Sequence, residues 1–385
     1  MELARKLGDI QPFYAMNLLA KAKVMEGAGR DIIHMEIGEP DFDTPEPVRD
    51  AGIAAIQAGH THYTAATGLP ALREAIAAFY RARYQVHIHP DEVLITPGAS
   101  GALQLVLGAL LNPGDEVLMT DPGYPCNRHF VRLFEGCAKP IAVDASTQFQ
   151  LTAELVEQHW TSSTRILLLA SPANPTGTLV HKSELRAIVK FVHARGGIII
   201  VDEIYQGLIY SDGGYCAREI DDQIILVNSF SKYFGMTGWR LGWLVAPASL
   251  IEGMDRLAQN IFLAPSTPAQ YAALAAFHPE TLTILEARRK EYQQRRDFLY
   301  PALQKIGFAC ASLPEGAFYL YADCSRLAQD SFALCEDLLE KVGVAITPGK
   351  DFGLHRPQDF VRFAYTTNLE RLEEGVARMQ RYFRQ

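Results

Sequence analysis

Short apolar runs alternate with longer amphipathic segments from about Asp91 onward. The amphipathic segments place apolar residues three and four positions apart, as "KSELRAIVKFVHAR" does, and this spacing is typical of helices packed on one face. Repeated strand, helix, strand units predict a mostly parallel sheet with helices on both faces. The runs predicted as strands are "DEVLIT", "DEVLMT", "AKPIAV", "TRILLLA", "GGIIIVDEIY" and "QIILVNSF".

The pattern changes after about Glu280. A charged helical stretch, "LEARRKEYQQRRDFLYPALQKIG", precedes three short strand-like runs, "GAFYLYADC", "VAITPG" and "FVRFAYT", and a final helix. This order predicts a smaller α+β unit. The segment before Pro45 holds one amphipathic helix and is too short to fold alone, so we expect it to join the C-terminal unit or a partner subunit. We therefore predict an N-terminal arm at 1–45, a large domain at 46–280 and a small domain at 281–385.

Unusual residues follow five of the predicted strands. The sequences "GAS", "DPGYP", "NPTG", "DEIY" and "SFSK" all stand at carboxyl ends, where ligands of open parallel sheets bind. In "TPGASGALQL" a helix begins after a glycine turn, so the backbone N–H groups near Ala99 and Ser100 can face an anion. Glycine turns of this kind also occur without a ligand. The sequence predicts one site at this edge of the sheet.

Composition narrows the classes of function. The net charge of −8 comes without a basic arm, which disfavours nucleic acid binding. The six cysteines are scattered without a C-x-x-C pair, which favours free thiols and a cytoplasmic location. No signal peptide and no stretch of about 18 apolar residues is found, so no membrane association is expected. No P-loop, H-E-x-x-H or G-x-G-x-x-G after the first strand occurs, and neither a metal nor nicotinamide chemistry is predicted.

Lys232 stands in "SFSKYFGMTGWRLGW", among serines, glycines and aromatic residues. Loss of hydration lowers the pKa of a lysine and favours the neutral amine that forms Schiff bases. A lysine that extends to solvent from a sheet edge is the alternative. Ser229 and Ser231 add hydroxyls and Arg240 adds a bidentate donor, a combination that suits a phosphate.

Three further strand ends carry groups suited to a planar ring. Asp202 follows the apolar run "GIIIV", where a carboxylate is costly to bury unless a cation, such as a protonated ring nitrogen, lies beside it. Tyr205 and Asn174 can donate to a phenolic oxygen, and Tyr124 can stack on a ring. A helix cap, core packing and a turn are the structural alternatives. A ring with a cationic nitrogen, a hydroxyl, a phosphate and a carbonyl for Lys232 describes pyridoxal phosphate.

Nearly the whole chain resembles the class I and II aminotransferases of fold type I. This resemblance implies an α/β fold with a mostly parallel, doubly wound sheet in the large domain and a smaller α+β domain formed by the N-terminal segment and the C-terminal part. It also implies a homodimer with shared active sites. The motifs that carry it occur in the order "IGEPDFDTP", "HYTAATGLPALREAIA", "TPGASGAL", "DPGYP", "SPANPTG", "VDEIY", "SFSKYFGMTGWRLGW", "PEGAFY", "PGKDFG" and "VRFAY".

The resemblance implies a role for each candidate residue. Lys232 would hold the cofactor as an internal aldimine and then carry a proton, while Asp202 would keep the pyridine nitrogen protonated. Arg362 would bind the substrate α-carboxylate, assisted by the backbone near Gly38, although a structural salt bridge is its alternative outside this family. Tyr63 would reach the phosphate of the neighbouring subunit. The other cofactor contacts would come from Ala99, Ser100, Tyr124, Asn174, Tyr205, Ser229 and Arg240, with Tyr205 also catalytic and Asn174 also near the substrate.

The expected reaction is transamination between an L-amino acid and a 2-oxo acid in ping-pong half-reactions. The alternative is a carbon–sulfur lyase or another eliminating enzyme on the same fold, while a transcription regulator would need a DNA-binding module that residues 1–40 are too few to form. The stretch "NIFLAPSTPAQ" has no cationic residue where dicarboxylate-specific members of one branch carry an arginine, although other branches recognise aspartate without it. Phe13 and Tyr14 favour an apolar pocket or pack the arm. We expect a neutral or hydrophobic amino donor.

Overall fold

Residues 2–384 are described by the structure, a computed structural model. Its strands are β1 (Ile33–His34), β2 (Val93–Thr96), β3 (Glu116–Asp121), β4 (Cys137–Ala142), β5 (Thr164–Ala170), β6 (Ile198–Asp202), β7 (Ile225–Ser229), β8 (Gly242–Val245), β9 (Tyr319–Asp323), β10 (Val344–Ala345), β11 (Thr347–Pro348) and β12 (Phe360–Ala364). Its α-helices are α1 (Tyr14–Gly27), α2 (Glu46–Gln57), α3 (Pro70–Tyr84), α4 (Gly98–Leu110), α5 (Pro125–Leu133), α6 (Ala153–His159), α7 (Lys182–His193), α8 (Ala248–Ile261), α9 (Thr267–Leu274), α10 (Pro279–Ile306), α11 (Ser331–Asp337) and α12 (Leu369–Phe383).

The six predicted apolar runs form strands of a seven-stranded sheet with the order β2, β8, β7, β6, β5, β3, β4. The seventh strand, β8, was not predicted, and it lies antiparallel to both of its neighbours. Along β5, Leu167 and Leu169 pack in one apolar cluster and Leu168 in another. Helices α4 and α8 cover the face of Leu168, and α3 and α7 cover the opposite face. The mostly parallel, doubly wound sheet is therefore confirmed.

The C-terminal part forms a three-stranded antiparallel sheet in the order β11, β12, β9. The N-terminal segment joins it in the same chain, because β1 pairs in parallel with β10 and places Ile33 opposite Val344. Helix α10 is 28 residues long and contacts both α2 and α12. The domain boundary predicted between 280 and 281 thus falls in the first turn of a continuous helix.

No helix within residues 2–384 is both long and apolar enough to cross a membrane. The six cysteines are free thiols, in agreement with their scattered spacing. Four of them, Cys216, Cys310, Cys324 and Cys335, are buried, so they contribute to the core as small apolar side chains.

Candidate active site

A cavity of about 190 Å³ opens at the carboxyl edge of the large sheet, against the C-terminal unit. Residues that follow β2, β3, β5, β6 and β7 line it, as the topology leads one to expect. The predicted residues in its lining are Gly38, Ala99, Ser100, Tyr124, Asn174, Asp202, Tyr205, Lys232 and Arg362. A second cavity of about 300 Å³ shares Ala99, Ser100 and Lys232 with the first and adds Ser229 and Arg240. The shared lining makes the two cavities adjoining parts of one site.

Lys232 lies just beyond β7, and its Nζ donates a hydrogen bond to the carbonyl oxygen of Gly38 at 2.6 Å. Burial lowers the pKa of Lys232 to about 8. The guanidinium groups of Arg362 and Arg240 act in the same direction, and the Glu39 carboxylate acts against it. At physiological pH the amine is therefore closer to its neutral, nucleophilic form than an exposed lysine is.

Asp202 is the last residue of β6, and only 6% of its surface is exposed. Its Oδ1 accepts a hydrogen bond from the N–H of Ile204 at 3.0 Å. Burial raises the pKa of Asp202 to about 6, although this N–H and the nearby Lys232 favour the charged form. The carboxylate is thus ionised at neutral pH at a cost in free energy, which a cation bound beside it would offset.

Two tyrosines form part of the cavity wall. The hydroxyl oxygens of Tyr205, after β6, and Tyr319, at the start of β9, lie 2.7 Å apart in a hydrogen bond. Burial raises the pKa of both phenols, so both keep their protons at neutral pH. One hydroxyl uses its proton to donate to the other, and the hydroxyl that accepts still has its own proton to donate to a ligand oxygen. The Tyr319 hydroxyl also occupies the space that a Cβ on Gly38 would need.

Arg362 on β12 is 2% exposed, and its Cζ lies 4.3 Å from the ring centroid of Tyr319. Nη1 donates to Oδ1 of Asn174 at 3.0 Å, and Nη2 donates to the carbonyl oxygen of Glu36 at 2.5 Å and to Thr347 Oγ1 at 3.4 Å. All of these acceptors are neutral, and Nε has no partner among the residues that the structure describes. A buried guanidinium in such company favours an anionic ligand, which suits a substrate carboxylate.

The protein groups that are candidates for binding a phosphate lie near the ends of β2 and β7 and the start of β8. Gly98 begins α4 with φ of +72°, and a Cβ added there would lie 2.6 Å from Nη2 of Arg240. The Arg240 guanidinium is thus placed beside the first turn of α4, where the N–H groups of Ala99 and Ser100 lack helical partners. Ser229 lines the same cavity, and its Oγ lies 2.9 Å from Ser231 Oγ and 3.1 Å from the carbonyl oxygen of Leu241. The Arg240 guanidinium and the first-turn N–H groups of α4 are two kinds of N–H donor that suit an anion.

Two aromatic residues considered from the sequence lie elsewhere. Tyr63 is 82% exposed and lines neither cavity. Phe13 lines the first cavity, but Tyr14 packs edge-to-face on Phe332, with ring centroids 5.5 Å apart. Of the two alternatives stated for this pair, the pocket describes Phe13 and packing of the arm describes Tyr14. Adjacent side chains at the start of a helix diverge by about 100° around the axis, so only one of the pair faces the cavity.

Sequence reasoning missed several lining residues. Tyr319 is the last residue of the motif "PEGAFY", which was noted in the sequence, but Tyr319 itself was not singled out as a candidate. Met16, Ile37 and Leu103 lie in apolar patterns that a core would explain equally well, and they carry no signal of a site. Their position in the wall follows from how α1 and α4 pack, which the sequence pattern does not specify.

A family profile described as "Aminotransferase class I and II" matches residues 30–379. The chain belongs to this family. The aminotransferase is 39% identical over 373 residues to the valine–pyruvate aminotransferase of Mycobacterium tuberculosis, covering 96% of each chain. It is 36% identical over 397 residues to the aspartate aminotransferase of Geobacillus stearothermophilus, covering 99% of each. A crystal structure of an aminotransferase from Mycobacterium tuberculosis matches with a TM-score of 0.96 and 37% identity, covering 100% of this chain and 99% of that one.

These matches confirm fold type I and a transaminase that uses pyridoxal phosphate, with amino acids and 2-oxo acids as substrates. The site of this aminotransferase fits that cofactor. The side chain missing at Gly98 leaves room for Arg240 beside a helix start, which suits the phosphate. The buried Asp202 carboxylate suits the ring nitrogen and the low-pKa amine of Lys232 suits the carbonyl. Each group of the cofactor thus has a chemically matched residue in the cavities.

Proposed function

We propose that this aminotransferase moves the amino group of a neutral, apolar L-amino acid to a 2-oxo acid, with Lys232 holding the cofactor and Arg362 binding the α-carboxylate. One observation carries the proposal. The cavity combines a buried lysine of lowered pKa with a buried arginine whose hydrogen-bond acceptors are all neutral. An amine for Schiff-base chemistry and a vacant cationic partner for a carboxylate are the two groups that an α-amino acid needs.

When bound, pyridoxal phosphate supplies an electron sink that stabilises a carbanion at the substrate Cα. Lys232 Nζ, freed when the substrate amine replaces it, would accept the proton from Cα as a general base and deliver it as a general acid, and its pKa, lowered to about 8, suits both roles. Asp202 would keep a proton on the ring nitrogen, because a buried carboxylate is stabilised by a cationic neighbour. Tyr205 would donate to the ring oxygen, since its phenol stays protonated.

Arg362 is held for its task by neighbours on three elements. Asn174, after β5, accepts from Nη1, and the carbonyl oxygen of Glu36 accepts from Nη2. The ring of Tyr319 supports the guanidinium from one face. The amino acid and the 2-oxo acid each carry a carboxylate next to the reacting carbon. One fixed arginine would therefore serve both half-reactions.

The phosphate would lie between the first-turn N–H groups at Ala99 and Ser100, the Ser229 hydroxyl and Arg240. Tyr124 lines both cavities and is placed to stack on the ring. A phosphate fixed at one end and Lys232 at the other would limit how the ring can turn.

The remaining wall favours a neutral side chain. It includes Phe13, Met16, Ile37 and Leu103, all apolar. Among the described residues that line the first cavity, only Lys232 and Arg362 carry positive charge, and both have other tasks. A second carboxylate on the substrate would be buried without a cation, which is costly. The relatives named above differ in substrate, but both are aminotransferases, which favours transamination over the eliminating alternative.

We also propose a cytoplasmic homodimer with shared sites. Tyr63 is 82% exposed, and the nearby helix α2 exposes Ile53 at 49% and Ile56 at 59%. Apolar side chains at this exposure favour a second subunit on that face, with Tyr63 reaching the partner's phosphate site. Sedimentation velocity at micromolar concentration tests the assembly, and a species with the mass of one chain would contradict it.

Removal of the proposed amine tests the central assignment. Lys232→Ala should abolish turnover and the visible absorbance band of the covalently held cofactor. Lys190→Ala is the matched control, because Lys190 is an exposed lysine of α7 and should keep both. Full turnover by Lys232→Ala would show that another group does this chemistry.

A donor screen tests the substrate class. With one 2-oxo acid fixed, we expect higher kcat/KM for leucine, methionine or phenylalanine than for aspartate. An enzyme that uses aspartate best would show that a cation from outside this cavity lining recognises the side chain, and the neutral class would be abandoned.

A further inference from the structure

Helix α1 begins without a capping side chain of its own. Its N-cap residue is Phe13, whose side chain has no hydrogen-bonding atom. The cap comes instead from Asp351, which lies in the short turn after β11. Asp351 Oδ1 accepts the N–H of Tyr14 at 2.7 Å, and Oδ2 accepts the N–H of Ala15 at 2.7 Å. One carboxylate thus satisfies two unpaired donors of the first turn.

The residues around this cap belong to the substrate cavity. Phe13, Ala15 and Met16 all line it, and they lie immediately before, at and after the capped N–H groups. Their side chains form the part of the apolar wall that comes from α1. The position of that part of the wall therefore depends on where Asp351 holds the first turn.

Asp351 is itself fixed to the substrate side of the site. The residue before this turn, Pro348, is paired with Val361 of β12, next to Arg362. The residue after it, Phe352, lies with its ring centroid 4.8 Å from Cζ of Arg362. A single turn of backbone so connects the group proposed to bind the α-carboxylate with the cap of α1. This connection joins the carboxylate site to the apolar wall.

The carboxylate is well placed to hold a helix start. Asp351 is 2% exposed, so its hydrogen bonds are shielded from competing water. Burial raises its pKa, while the two N–H groups and the Arg362 and Arg128 guanidinium groups favour the charged form. The positive end of the α1 dipole acts in the same direction as these groups.

We propose that Asp351 is a positioning residue for substrate selectivity, because it holds Phe13 and Met16 against the substrate side chain at a fixed distance from Arg362. The inference depends on the proposed apolar substrate class. It makes selectivity among apolar donors a property of a residue that touches neither substrate nor cofactor.

The test compares donors that differ in the size of the side chain. Asp351→Ala should lower the ratio of kcat/KM for leucine to that for alanine by about tenfold, the discrimination that an apolar pocket makes for roughly one methylene. The loss should lie mainly in KM for leucine. Affinity for pyridoxal phosphate should be unchanged, because Asp351 lines neither cavity.

Two further variants separate positioning from general loss of stability. Asn368→Ala removes the cap of α12, where Asn368 Oδ1 accepts the N–H of Arg371 at 2.9 Å, and should leave the leucine-to-alanine ratio unchanged. Asp351→Asn keeps one acceptor oxygen and should give an intermediate ratio. Hydrogen exchange measured by mass spectrometry should show faster exchange at residues 14–17 in Asp351→Ala only.

The outcomes distinguish this inference from the proposed function. If the wild type prefers aspartate, the apolar substrate class is wrong whatever the variants do. If the wild type prefers leucine but Asp351→Ala keeps its ratio, the positioning role is wrong and the substrate class stands. If Asp351→Ala does not fold, a wild-type ratio in Asp351→Asn together with unchanged exchange at 14–17 would equally overturn the inference.

Discussion

Gly98 offers a sharp test of the phosphate site, because the position of Arg240 leaves no room for a side chain at residue 98. A Cβ at this position would lie 2.6 Å from Nη2 and 3.3 Å from Cζ of Arg240. The φ of +72° is also a conformation that residues with side chains rarely adopt. We therefore expect Gly98→Ala to displace the Arg240 guanidinium and to strain the start of α4.

The two effects have different sizes and different readouts. An alanine in the left-handed region costs about 1–2 kcal/mol of folding stability, whether or not the cofactor is bound. Loss of a charge-assisted hydrogen bond between Arg240 and the phosphate costs about 1.5–3 kcal/mol, and only in the complex. The Kd for pyridoxal phosphate should therefore rise about 10- to 150-fold.

Gly196 provides a matched control. Its φ is +67°, close to that of Gly98, but an added Cβ would meet nothing within 4 Å. Gly196→Ala should lose similar stability in urea unfolding of the cofactor-free protein and should bind the cofactor as the wild type does. Fluorescence titration of each cofactor-free protein with pyridoxal phosphate measures Kd directly. A wild-type Kd in Gly98→Ala, with the stability loss present, would show that Arg240 does not hold the phosphate.

Two further predictions concern stability and pH. Asp202→Asn should stabilise the cofactor-free protein by about 3 kcal/mol at pH 7, because folding raises the pKa of Asp202 from 3.8 to about 6 and the ionised carboxylate destabilises the folded state above that range. In urea unfolding, the gain in stability should shrink as the pH falls from 6 toward 4. A gain that does not depend on pH would refute the reasoning. His34→Ala should destabilise the protein by about 3 kcal/mol at pH 6, because it removes the hydrogen-bonded partner of the fully buried Glu36 carboxylate, 2.7 Å away. The hydrogen bond to Glu36 raises the pKa of His34 to about 9, so the stability advantage of the wild type over the variant is full below pH 6.5 and declines as the pH rises through 9. His87 is exposed, and His87→Ala should show no such pH dependence of stability.

The large sheet could be predicted because parallel strands buried on both faces leave continuous apolar runs in the sequence. Strand β5 matches "TRILLLA" residue for residue. Strand β8 was missed because "GWLV" has only four residues, and the first two, Gly242 and Trp243, are the last two of the lysine motif. Its identity as a strand comes from pairing with β7 and β2, which no local pattern contains.

Some residues of the site could likewise be predicted from the sequence, and others could not. The convergence of Lys232, Asp202 and Asn174 follows from the rule that parallel strands end at one edge, so sequence and topology were sufficient to bring them together. Tyr319 and Asp351 come from the C-terminal unit, and their contacts join distant positions. Asp351 and Tyr14 are 337 positions apart. Contacts of this kind depend on how two units pack, and neither periodicity nor turn chemistry encodes them.

The antiparallel strand β8 also affects the order in which the protein can be made. Among residues 2–384, β2 has β8 as its one neighbour at the edge of the sheet, and β8 ends at Val245. During synthesis β3, β5 and β6 can pair as they emerge, but β2 and the helix start at Gly98 have no strand to join until residue 245 has left the ribosome. Over that interval the apolar strand "VLIT" lacks its strand partner, and unpaired strand edges favour association between chains. The phosphate end of the site is therefore completed late, and cofactor present during translation can be captured there only after that strand has formed.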